Sequence, residues 1–128
     1  MITIQILNTP FEGEPGPNFI WVGQPDEFCR LVFDLHKLGT NDSIIIDIDN
    51  YSYVNVLGGK NVLLKSNKNS NTLCKILDDI IIVELDSKLW REVLHKFLSV
   101  SFIESHNYVE FDDYEIHEEA NFIISSGG

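Results

Sequence analysis

An α+β fold, a mainly antiparallel β-sheet with a central meander and two amphipathic helices packed on one face, is predicted by three features of this chain. Two segments, residues 25–38 and 87–98, repeat apolar side chains at spacings of three and four. Between them, residues 43–85 break into five short runs rich in β-branched residues and separated by turn formers. The 128 residues are 44% hydrophobic and 23% charged, which suffices for one core covering about two-thirds of the surface of the unfolded chain. Residues 1–128 are therefore expected to form a single domain of two layers.

Ile2, Ile4 and Leu7, interleaved with Thr3 and Gln5, predict a short first strand. Residues 8–18 hold three of the four prolines and two glycines and read as a loop. Phe19, Ile20, Trp21 and Val22, closed by Gly23, predict a second and largely buried strand. Pro25 suits a first helical position, because the N–H it lacks has no intrahelical partner there. Asp26 and Glu27 favour the positive end of the helix dipole, and Gly39 is the expected stop. Phe28, Leu31, Val32, Leu35 and Leu38 form the face expected to pack on the sheet.

The meander is expected to run through residues 43–49, 52–57, 61–66, 72–77 and 80–85. Gly58-Gly59 permits positive φ in one turn, residues 67–71 form a polar loop, and Asp78-Asp79 suits a tight turn. Consecutive hairpins need no crossover, which is the reason for expecting antiparallel pairing. The second helix, with Asp86 or Ser87 as N-cap, would bury Leu89, Trp90, Val93, Leu94, Phe97 and Leu98. Residues 108–115 alternate as a strand, and residues 121–125 make a last short one.

Cys29 and Cys74 lie in helix-like and strand-like runs without C-x-x-C spacing, so reduced core thiols are expected in place of a disulfide or a zinc site. The first residues show neither a basic leader nor a cleavage signal, and the apolar runs are shorter than a bilayer span. A cytoplasmic protein without membrane contact is the expectation. Twenty acids against nine bases give a net charge of -11, which opposes binding to nucleic-acid phosphates.

The charge is unevenly placed. Lys60, Lys65, Lys68 and Lys75 make residues 60–75 a locally basic hairpin without acids. After Ser101 the chain carries Glu104, Glu110, Asp112, Asp113, Glu115, Glu118 and Glu119 and no Lys or Arg. A solvated face that discourages edge pairing is one account of this run. The interleaved Tyr108, Phe111 and Tyr114 suit another, an interface with aromatic anchors and charge complementary to a basic partner. Its expected contact residues are Glu110, Asp112, Asp113, Tyr114, Glu115, Glu118 and Glu119.

Chemistry-bearing motifs are sparse. Asp47 and Asp49, two apart on an expected strand, would face one side as a carboxylate pair, with Ile44, Ile46 and Ile48 on the buried side. His106 and His117, near Glu110, Asp112 and Glu118, form the densest His/carboxylate group, at a spacing that fits no metal motif. His36 and His95 fall near expected helix ends, where imidazolium complements the dipole. No G-x-S-x-G elbow occurs, and Gly58-Gly59-Lys60 joins strands without opening a helix, so it lacks the mechanics of a phosphate loop. No cofactor motif or metal site is expected.

Three functions follow as expectations. The first is a non-enzymatic intracellular binding protein whose acidic C-terminal face engages a basic protein, as an inhibitor or antitoxin-like immunity protein does when it masks a nuclease. The second is a small-molecule module with Trp21 and Trp90 as ligand-binding residues, in a pocket completed by Phe28 and Phe97. The third is a small enzyme using Asp47 and Asp49 or the region from His106 to His117. A monomer and a homodimer paired through a meander edge are both compatible with the pattern, with lysines on residues 60–75 as guards of that edge.

Overall fold

The structure, a computed structural model, describes residues 1–7, 18–68, 73–77, 79–101, 106–110 and 121–126. In chain order these form β1 (Ile2–Leu7), β2 (Asn18–Gly23), α1 (Pro25–Leu35), α2 (Lys37–Thr40), β3 (Ile45–Asp47), a 3-10 turn (Ile48–Asn50) and β4 (Val54–Val56). They continue with β5 (Asn61–Asn67), β6 (Leu73–Ile76), β7 (Ile80–Asp86), α3 (Ser87–Val100), β8 (His106–Glu110) and β9 (Asn121–Ser126). The mixed α and β content agrees with the expected class. The arrangement of the strands does not.

In place of one antiparallel meander there are two open, mixed sheets, a five-stranded one ordered β4-β1-β2-β9-β8 and a four-stranded one ordered β3-β5-β7-β6. β4 leaves the expected meander and pairs in parallel with β1, with Ile2 opposite Val54. β7 inserts between β5 and β6, parallel to the first and antiparallel to the second. Residues 60–75 are therefore not a hairpin; their two strands lie on either side of β7. The physical reason is visible in β7, whose run Ile80-Ile81-Ile82-Val83 is apolar on both faces and fits a central strand. Exposed Lys75 lies on β6, at the edge, where a charge blunts further pairing.

Alternation does select the inward faces. Ile2 and Ile4 of β1, Phe19 and Trp21 of β2, Val62 and Leu64 of β5, and Ile81, Val83 and Leu85 of β7 are all buried. α3 touches β5 and β7 of one sheet and β8 and β9 of the other, while α1 and α2 pack on α3. The helices thus do not share one face of one sheet as expected: α3 bridges the two sheets.

Helix boundaries show where local signals suffice. Pro25 opens α1, and Glu27 Oε1 accepts the Gln24 N–H at 2.9 Å in a capping box. Asp86 is the N-cap of α3, its Oδ1 accepting the Leu89 N–H at 2.6 Å. The first helix, however, ends at Leu35, and Gly39, the expected stop, is a buried residue inside α2. A Cβ on Gly39 would lie 2.7 Å from Arg91 Cγ, so this glycine is required by the contact between α2 and α3. In contrast, Gly58 and Gly59 have φ of 95° and 73° and make the turn their sequence predicts.

Candidate functional site

Of the acidic run, Glu104 lies outside the described residues and Glu110 lies on β8, an edge strand of the five-stranded sheet among the described residues. β8 is antiparallel to β9, with His106 opposite Ser125 and Glu110 opposite Asn121. Glu110 is thus the last residue of an edge strand, which offers one row of backbone donors and acceptors to a partner. Asp112, Asp113, Tyr114, Glu115, Glu118 and Glu119 lie outside the described residues, as does His117.

The aromatic residues considered as pocket walls are core. Trp21, Phe28, Trp90 and Phe97 are completely buried. Trp21 meets Phe97 edge-on at 5.0 Å, and Phe28 stacks on Phe97 at 5.8 Å. Trp90 donates its Nε1–H to the Lys65 carbonyl at 2.7 Å, tying α3 to β5.

Asp47 and Asp49 do not form a pair on one strand face, because β3 stops at Asp47 and the chain turns into the 3-10 segment. Asp47 Oδ1 accepts the Asp49 N–H at 3.0 Å, and Asp49 Oδ2 accepts the Val62 N–H at 3.3 Å. Burial pushes the Asp49 carboxyl above its ordinary pKa; the Val62 N–H opposes this and the Asp47 charge adds to it. Both side chains hold the turn together. Ile48 is buried, and Ile44 and Ile46 are packed against the core, as alternation predicts.

The exposed side of α1 departs from expectation at Cys29, a free thiol that faces solvent instead of the core. His36 follows α1 and donates Nδ1–H to the Phe33 carbonyl at 2.8 Å, consistent with a role at a helix end. His95 is placed differently: α3 continues to Val100, so His95 lies on its outward face and not in its last turn.

Two constellations are given no function by the sequence. In the first, Tyr53 donates its hydroxyl to Asp34 Oδ2 at 2.6 Å, Tyr51 donates to the Asp34 carbonyl at 3.4 Å, and the Arg30 guanidinium lies 4.2 Å from the centre of the Tyr53 ring. Burial, then the hydrogen bond to and charge of Asp34, push the Tyr53 phenol far above the ordinary tyrosine range. This hydrogen bond fastens α1 to the chain before β4. In the second, Lys88, Arg91, Glu92, His95 and Lys96 line a shallow groove of about 540 Å³ on α3. Helical spacing by itself places these five side chains off the buried stripe of α3, as an ordinary solvated side.

Among the described residues no three His, Cys, Asp or Glu side chains come together as a metal site. No helix among them is long and apolar enough to cross a membrane. No protein-family model, curated protein or solved structure matches the chain.

Proposed function

We propose that this chain is a non-enzymatic cytoplasmic binding protein whose acidic C-terminal segment engages a basic protein, in the manner of an inhibitor or immunity protein. One observation carries the reading. Seven carboxylates without a Lys or Arg fall within residues 104–119, whereas the residues before Glu104 hold thirteen acids and nine bases. More than half of the net charge of -11 is therefore concentrated in one run. Glu110 lies on β8, which has no neighbouring strand on one side among the described residues, so a partner drawn to the carboxylates meets a sheet edge as well. With a Debye length of about 8 Å at physiological salt, such a cluster acts mainly on encounter rate and on rejection of acidic competitors.

The test replaces Glu110, Asp112, Asp113 and Glu115 together by lysine and compares proteins captured from native lysate at low and high salt. Loss of a basic, salt-sensitive partner is expected. An unchanged partner set overturns the reading.

A further inference from the structure

We infer that the outward face of α3 is a docking surface for the acidic run of a second copy of this chain. α3 buries Leu89, Trp90, Val93, Leu94, Phe97 and Val100, and its other side presents Lys88, Arg91, His95 and Lys96 around one carboxylate, Glu92. This is a cationic surface on a chain of net charge -11.

Arg91 is already positioned. Its Nη1 donates to the Gly39 carbonyl at 2.8 Å, and its stem lies where a side chain on Gly39 would be. The guanidinium keeps further N–H donors for a carboxylate and has little rotamer freedom left to lose on binding. Lys88 and Lys96, on either side of it along the helix, make no ion pair with a described residue. A fixed arginine flanked by two such lysines matches peptide carboxylates, and the chain carries seven of them within residues 104–119.

The acidic run of a second copy supplies carboxylates of the complementary charge. If each copy lays its run on the other's α3, the contact is reciprocal and closes as a two-fold dimer. Repulsion between the two acidic bodies is screened beyond about 8 Å at physiological salt, whereas carboxylate–guanidinium contacts lie well inside that distance. A nucleic acid fits less well, because the net charge of -11 opposes a long run of phosphates.

Sedimentation velocity on the full chain, at about 150 mM and about 500 mM NaCl, tests the inference. A dimer at low salt is expected, with a twofold loss of mass to the 14.6 kDa monomer at high salt. Lys88→Glu with Lys96→Glu should give monomer at both, with circular dichroism confirming the fold. The variant with lysine at Glu110, Asp112, Asp113 and Glu115 should also be monomeric alone, and mixing the two variants should restore a dimer. Wild-type monomer at low salt overturns the inference. So does a dimer indifferent to salt or to the α3 substitutions, or a wild-type monomer that instead captures a single-stranded oligonucleotide. Failure here is separable from failure of the proposed function, because the α3 variant keeps its acidic run and should still capture a basic protein.

Discussion

Ser66 stands where Val62 and Leu64 predict a third apolar side chain, and it is almost fully buried. Its hydroxyl donates to the Asn41 carbonyl at 2.7 Å and accepts the Ile44 N–H at 3.0 Å, tying the loop after α2 to β5. Ser66→Ala leaves both backbone groups without that partner, at an expected cost of about 1–3 kcal/mol. A lower urea midpoint at constant slope would show it; an unmoved midpoint would mean that water replaces the hydroxyl. Tyr53 gives a pH signature. Its pKa is raised in the fold, so the unfolded chain loses the phenolic proton first: the contribution is whole below about pH 10 and declines above it. Unfolding free energy measured from about pH 8 to about pH 11 should fall less steeply in Tyr53→Phe than in wild type. Asp49 behaves oppositely to a stabilising carboxylate, since the fold favours its neutral form at any pH above its ordinary range. Asp49→Asn keeps an oxygen for the Val62 N–H and should melt no lower than wild type at neutral pH; a clear drop would assign the charge a role. None of these partnerships was legible beforehand, because Tyr53 and Asp34 stand 19 residues apart and Ser66 and Asn41 stand 25 apart.

At the scale of elements, what is local was readable. Asp86 caps α3 through the Leu89 N–H, and Asp86→Ala should cost about 0.5–2 kcal/mol, measured as a lower melting temperature. The apolar stripes of α1 and α3 and the alternation in β5 and β7 give faces correctly, because a helix or strand repeats its own geometry. Alternation is silent about which strand lies beside which. It reports the buried side of β7 and says nothing of a parallel β5 on one edge and an antiparallel β6 on the other. Gly39 misleads for a related reason: a glycine required by another helix looks, in sequence, like a glycine that ends its own. Gly39→Ala should destabilise by about 1–3 kcal/mol through overpacking against Arg91, and a melting temperature equal to wild type would show that Arg91 moves aside freely.

For the whole molecule, net charge governs behaviour. A body at -11 repels itself, so the melting temperature of the monomeric Lys88→Glu, Lys96→Glu variant should rise between about 10 mM and about 300 mM NaCl as the Debye length shortens from about 30 Å toward 6 Å. A flat response would show that the carboxylates are already compensated by neighbours. The candidate site divides along the same line as the fold. The concentration of acids after Ser101 is a property of the chain and could be counted, as could the existence of α1 and α3 and the buried faces of α1, α3, β5 and β7. Tertiary structure decided that β8 would be an edge among the described residues, that Trp21 and Trp90 would be core, and that Asp47 and Asp49 would hold a turn. The reason is range: periodicity and capping act within a few residues, whereas strand neighbours, buried hydrogen bonds and shared surfaces depend on which distant segments meet.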